Sequence, residues 1–144
     1  MNENNVSYIN EKLLDNINII TEKVKKIKVK YLQNSKLTIP QFSVLEAVKR
    51  RGSIPLKAIG KELNVTGANI TCIVDNLEKE NLIKRVPSRQ DRRIILAELT
   101  EEGEKTINLI LPVYNTKIEE LFSVFTADEK ENLNKLLEKI GQNK

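Results

Sequence analysis

Histidine and tryptophan are absent from this chain of 144 residues, and cysteine occurs once, as Cys72. Without histidine the chain lacks the commonest general base and the commonest metal ligand. One thiol cannot form an intrachain disulfide and cannot by itself supply a zinc site. We therefore expect no metal site, no cofactor and no enzyme activity, and the single thiol favours a cytoplasmic location.

Long apolar runs are also lacking. No run approaches the roughly 20 residues that a membrane span needs, and residues 1–5 lack the cationic start of a signal peptide. The composition, 40% hydrophobic and 31% charged, is typical of a folded soluble domain. We therefore expect residues 1–144 to form a single subunit that does not contact a membrane.

The charge is distributed unevenly along the chain. Residues 1–51 carry a net charge of +5, residues 52–97 carry +3 and residues 98–144 carry −4. Four of the six arginines fall within nine residues, at Arg85, Arg89, Arg92 and Arg93. In a chain that otherwise uses lysine, this cluster indicates a site where the guanidinium shape is needed, on a surface that faces a polyanion.

Apolar residues spaced by three and four predict a long helix over residues 6–33, and Thr38 begins a second helix that ends at Gly52. Two short helices follow over residues 55–80, separated by a tight turn at Asn64 and Val65. The second, which begins at Thr66, has an apolar inner face and a polar outer face. This arrangement predicts a helix-turn-helix.

Two predicted strands, residues 82–86 and 94–99, follow the second short helix and flank a polar loop rich in arginine. A hairpin with a cationic tip directly after a helix-turn-helix is a winged helix. The predicted fold class is therefore mainly α with a small β-hairpin wing, and the winged helix-turn-helix core spans residues 37–99.

Two C-terminal amphipathic helices, beginning at Thr100 and Thr126, bracket this core together with the first helix. Their apolar stripes exceed what one small core can absorb, so residues 6–33 and 100–141 are predicted to form a dimerisation region. The residues expected in that interface are Ile9, Leu13, Ile17, Leu121, Leu133, Leu137 and Ile140.

Several of these motifs, taken together, resemble the MarR family of bacterial regulators. The matching stretches are residues 37–42, 63–66 and 74–85, then Asp91-Arg92-Arg93, then Leu99-Thr100-Glu101-Glu102-Gly103. The resemblance implies a winged-helix homodimer that binds a pseudo-palindromic operator in double-stranded DNA. It also implies release from DNA by a small aromatic or phenolic effector, or by oxidation.

The candidate DNA-binding residues lie on the outer face of the second short helix and in the wing: Thr66, Gly67, Ala68, Asn69, Thr71, Cys72, Asn76, Ser88, Arg89, Arg92 and Arg93. The helix residues would enter the major groove and the wing arginines a minor groove. Capping of the helix explains Thr66 equally well. A solvated hairpin tip is the alternative for the wing.

Three features of the sequence allow alternative interpretations. By the resemblance, Asp75 pairs with Arg93 and so orients the wing, although both side chains could instead be independently solvated. Cys72 is either an inert small residue or a redox sensor. Because Gly67 and Cys72 stand where family members often carry arginine, the alternative function is a winged-helix protein-interaction module that has lost DNA binding.

Overall fold

A computed structural model describes residues 3–142 of the chain, and the side chains of residues 6–141. Within that part the chain is mainly helical, and the three short strands form one antiparallel sheet. The elements are α1 (Glu3–Leu32), α2 (Ile39–Arg51), β1 (Ile54–Pro55), α3 (Leu56–Glu62), α4 (Gly67–Lys79), β2 (Ile83–Pro87), β3 (Ile95–Leu99), α5 (Glu101–Leu121) and α6 (Ala127–Gln142). None of the described helices is long and apolar enough to span a membrane.

The predicted helix starts are confirmed by their hydrogen bonds. At Thr38 the backbone N–H donates to Gln41 Oε1 at 2.8 Å, and the Gln41 N–H donates back to Thr38 Oγ1 at 3.3 Å. Thr126 and Glu129 form the same reciprocal pair at the start of α6, with distances of 2.8 and 3.3 Å. Each capping box satisfies backbone donors that the first helical turn leaves without partners.

Two asparagines allow the sharp turns on either side of α4. Asn64 and Asn81 adopt positive φ angles of 53° and 57°. Asparagine tolerates this left-handed conformation better than most residues, because its short polar side chain can hydrogen-bond locally. The tight turn predicted at Asn64 is confirmed, and Asn81 adopts the same conformation just after α4.

The prediction of a two-stranded wing is incomplete, since the sheet has a third strand. The sequence patterns place Pro55 at the start of a short helix and give no element to Ile54, but the two residues form β1, and the strand order is β1-β3-β2. Ile54 lies opposite Ala97 in the ladder. Proline is tolerated there because β1 is an edge strand. Two residues are too few for an alternating pattern, so the sequence does not reveal this strand.

The hydrophobic core lies within the winged helix and reaches into α5. Buried side chains from α2, α3, α4 and the sheet meet there, including Phe42, Leu45, Ile59 and Leu77. Phe42 of α2 packs edge-on against Tyr114 of α5, with ring centroids 5.2 Å apart and planes inclined by 77°. The middle of α5 is therefore attached to the core, whereas residues 6–23 of α1 are exposed along their whole length.

The first turn of α5 crosses the end of α4 at very close range. The Thr100 N–H donates to the Leu82 carbonyl at 3.1 Å, and the Thr100 hydroxyl donates to the Asn81 carbonyl at 2.5 Å. Gly103 is buried, and a Cβ at this position would lie 2.0 Å from the Leu82 oxygen. No side chain fits there. The close approach is possible only because residue 103 is glycine.

We expect Gly103→Ala to destabilise the protein by about 1–3 kcal/mol or more, because the clash is with backbone and overpacking costs at least this much. Urea denaturation measures the change. Gly67→Ala is the matched control, since a Cβ at Gly67 meets nothing within 4 Å. Equal stability of the two variants would contradict the proposed constraint.

Candidate nucleic-acid interface

Helix α4 presents two different faces, as predicted. Ile70, Val74 and Leu77 are buried against the core, and Ile73 is half-buried. The turn before α4 approaches α3 closely at Gly60, where an added Cβ would lie 3.0 Å from the Val65 oxygen and 3.5 Å from Ile70 Cγ2 of α4. The outer face is exposed and is made of the predicted helix residues Thr66, Gly67, Ala68, Asn69, Thr71, Cys72 and Asn76.

The two threonine hydroxyls of this outer face are used within the helix. Thr66 Oγ1 accepts a hydrogen bond from the Asn69 N–H at 3.4 Å, so Thr66 is the N-cap of α4. Thr71 Oγ1 donates to the Gly67 carbonyl at 2.9 Å. The capping role of Thr66 is therefore confirmed, while its contact with DNA stays a prediction. The methyl groups of both residues remain available to a partner.

The tip of the wing is held in shape by short-range hydrogen bonds. The Ser88 N–H donates to the Ile94 carbonyl at 2.8 Å, and the Arg93 N–H donates to Asp91 Oδ1 at 3.0 Å. Ser88 Oγ accepts from the Gln90 N–H at 3.3 Å. These bonds involve backbone groups and short side chains. The guanidinium groups of the tip, on Arg89, Arg92 and Arg93, belong to exposed residues.

Asp75 pairs with Arg85, so the predicted pair with Arg93 is wrong. Arg85 Nη2 lies 2.5 Å from Asp75 Oδ1, and Arg85 Nη1 lies 2.6 Å from Glu78 Oε2. The same guanidinium donates to the Thr71 carbonyl at 3.4 Å. Arg85 therefore contacts α4 at residues 71, 75 and 78, which share one stripe of the helix.

The position of Arg85 in the hairpin explains this choice of partner. Arg85 lies in β2 opposite Ala97, beside the end of α4. Arg93 lies beyond the last residue pair of the ladder, Pro87 with Ile95, at the far end of the hairpin. The spacing of the two carboxylates on α4 is visible in the sequence. Which of the neighbouring arginines faces them is decided by the length and direction of β2.

Ion pairs also stabilise the hairpin at the base of the wing. Burial lowers the pKa of Arg85, but hydrogen bonds and charges from Asp75 and Glu78 outweigh it, so the pKa is raised. Hydrogen bonds from Ser53 and Lys84 lower the pKa of Glu98, which lies on β3 opposite Lys84. The Lys84–Glu98 pair spans 3.2 Å and reinforces the ladder. These pairs offset most of the negative charge of the carboxylates near the base of the wing.

The remaining predicted residues lie elsewhere. Cys72 is exposed on the outer face of α4, with no second cysteine in the chain. Within residues 3–142 no cluster of His, Cys, Asp or Glu side chains could hold a metal ion. The predicted dimerisation residues are away from the wing, on α1, α5 and α6: Ile9, Leu13, Ile17, Leu137 and Ile140 are exposed, and Leu121 and Leu133 are half-exposed.

Comparison with known proteins identifies relatives with the same architecture. The sequence profile of the MarR family matches residues 37–95. The HTH-type transcriptional regulator MhqR of Bacillus subtilis (strain 168) is 34% identical over 114 residues, 79% of each chain. A solved MarR family protein from Bacillus stearothermophilus has a TM-score of 0.70 and 25% identity, covering 99% of this chain and 96% of its own. A mutant MarR from E. coli complexed with operator DNA has a TM-score of 0.74 and 27% identity, covering 90% and 93%.

The ion pairs between Arg85 and α4 predict a measurable coupling between the effects of their mutations on stability. In a double-mutant cycle of Asp75→Asn and Arg85→Gln, we expect a coupling free energy of about 1 kcal/mol, between that of an exposed pair and that of a well-formed charged hydrogen bond. Urea denaturation of the four proteins measures it. The exposed pair of Glu101 and Lys105 on α5 is the control and should give about 0.3–0.5 kcal/mol. No coupling above the control would mean that Arg85 does not hold α4.

Proposed function

This chain belongs to the MarR family of winged-helix transcriptional regulators, and we propose that it is a homodimeric repressor, released from a pseudo-palindromic operator by a chemical signal. The observation that carries this proposal is the exposed outer face of α4 beside a wing whose tip arginines are exposed. Such a surface can place a helix in the major groove and arginines in the adjacent minor groove. A cytoplasmic location goes with this role.

The dimer is proposed from the exposed apolar residues at both ends of the chain. Leu13 of α1 is 55% exposed and Ile140 of α6 is 65% exposed. An isolated helix is marginally stable in water, so the exposed half of α1 needs a partner to cover it. A second copy supplies matching stripes in residues 6–33 and 100–141. Two-fold symmetry then places the operator half-sites about one helical turn, roughly 10 bp, apart.

We expect Leu13→Asp to weaken the dimer by at least tenfold, because a two-fold interface would bury two unpaired charges. Sedimentation equilibrium at micromolar concentration measures the dissociation constant. Ile94→Asp, at an exposed apolar residue of the wing outside both dimerisation segments, is the matched control and should leave association unchanged. A wild-type protein that is monomeric at this concentration would contradict the proposal.

The wing arginines are expected to supply the salt-dependent part of DNA binding. Arg93→Ala should weaken binding to the protein's own promoter region by about 1–3 kcal/mol and make log K fall less steeply with log salt. A gel shift at several salt concentrations measures both quantities. Lys105→Ala, which removes an exposed cation on α5, is the control.

This gel shift also separates the proposed function from its alternative. An unchanged affinity and salt slope for Arg93→Ala would show that the wing tip is only solvated. Wild-type protein that binds no promoter DNA would favour the protein-interaction module, for which the lack of cations on residues 66–78 is the motivating observation.

Two features are proposed to receive the releasing signal. A cavity lies between the end of α1 and α5, and apolar residues form much of its wall. Its volume, about 400 Å³, is within the size range of small-ligand sites. It is lined by Tyr31, Asn34, Ser35, Thr106, Leu109, Ile110 and Val113. An aromatic or phenolic molecule bound there would touch α5, which is attached to the wing at Thr100. The second feature is Cys72, whose oxidation would add polar bulk to the face that meets DNA.

Either signal should lower operator binding, which fluorescence anisotropy can follow. Added hydroxybenzoate should release wild-type protein from the operator. The release should be weaker for Ile110→Trp, because the larger side chain fills the cavity. Peroxide should release wild-type protein but not Cys72→Ser. If hydroxybenzoate has equal effects on wild-type protein and Ile110→Trp, the cavity is not the effector site. If peroxide has no effect on wild-type protein, Cys72 is not a sensor.

A further inference from the structure

Resting on the proposed operator binding, we infer that α4 reads A·T base pairs, because it presents no free charged group of the kind that selects guanine or cytosine. The operator half-sites contacted by this helix are therefore rich in A·T pairs. Helix α4 lacks the cations that read guanine, its carboxylates are paired with Arg85, and the amides and methyl groups that remain free lie on its outer face.

Guanine is read in the major groove chiefly by arginine or lysine, which bind its O6 and N7 atoms. Residues 66–78 contain neither, and the one cation of α4, Lys79, lies in its last turn. Recognition helices contact bases with their N-terminal residues, so Lys79 is too far along the helix. Arg85 approaches α4, but its guanidinium is bound to Asp75 and Glu78, and its side chain is only 23% exposed.

Cytosine is read by carboxylates, which accept a hydrogen bond from its N4 amino group. The carboxylates of α4 are Asp75 and Glu78, and both are held by the guanidinium of Arg85 at 2.5 and 2.6 Å. Turning either carboxylate toward a base would leave the half-buried Arg85 without that partner. The ion pairs that fix the wing to α4 therefore compete with cytosine for these carboxylates.

The free groups on the outer face match adenine and thymine. The amides of Asn69 and Asn76 are exposed, and an asparagine amide binds the N6 and N7 atoms of adenine in a bidentate manner. The methyl groups of Ala68 and Thr71 are suited to the thymine methyl, because the Thr71 hydroxyl is already bound to the Gly67 carbonyl. Cys72 adds another small, weakly polar contact.

In the experiment, full-length protein selects binding sites from a random duplex pool. We expect two half-sites made of A·T pairs where α4 contacts the bases. Cys72→Arg, which places a cation on the exposed face, should enrich guanine within the half-site. Enrichment of G·C pairs at these positions by wild-type protein would overturn the inference.

Chemically altered duplexes of the selected site then test the contacts. Replacing the contacted adenine by 7-deazaadenine removes the N7 acceptor, one of the two bonds of the bidentate pair, and should lower affinity about fivefold, the lower end of the range for such a pair. Replacing a contacted thymine by deoxyuridine removes one methyl group and should lower affinity about fourfold.

Two variants are compared. Asn69→Ala should abolish the effect of 7-deazaadenine on affinity. Asn108→Ala, at an exposed asparagine of α5, is the control and should leave that effect unchanged. A full effect in Asn69→Ala, or no effect of deoxyuridine at any selected thymine, would overturn the assigned contacts. Wild-type protein that binds no duplex at all would overturn the proposed function and this inference together. Binding to sites rich in G·C overturns the inference alone.

Discussion

The close crossing of α5 over the Leu82 carbonyl is the constraint on which the other parts of the molecule depend. Gly103 allows the helix backbone to approach where no Cβ would fit, and Thr100 bonds to the carbonyls of Asn81 and Leu82. The end of α4, the start of β2 and the end of β3 therefore meet α5 at one point. This contact joins α5 directly to the segment that connects α4 to the wing.

A second contact sets the direction of the wing relative to α4. Arg85 holds Asp75 and Glu78 from the base of the hairpin, rather than from its tip. The tip arginines are consequently not needed to hold the hairpin in place. The same pairs offset one of the two negative charges that would otherwise repel phosphate groups, so one arginine contributes both to the geometry and to the electrostatics of the surface.

Contacts within the protein also determine which polar groups of α4 are free to bind a partner. Thr66 and Thr71 look like hydrogen-bonding residues in the sequence, but both hydroxyls are engaged with the helix itself. Asp75 looks like a charge facing DNA, but it is one half of an ion pair. What the helix presents outward is therefore less polar and less charged than its composition indicates.

Local patterns in the sequence determined the helices and their ends, the tight turn at Asn64, and the two strands of the wing. These features depend on neighbours within a few residues, such as the capping pair of Thr38 and Gln41. Only the tertiary structure decided that Ile54 and Pro55 form an edge strand, that Asp75 pairs with Arg85, and that Gly103 faces a carbonyl. Each of these brings together groups distant in sequence or chooses between two chemically equivalent partners. Such outcomes depend on where the whole chain places those groups.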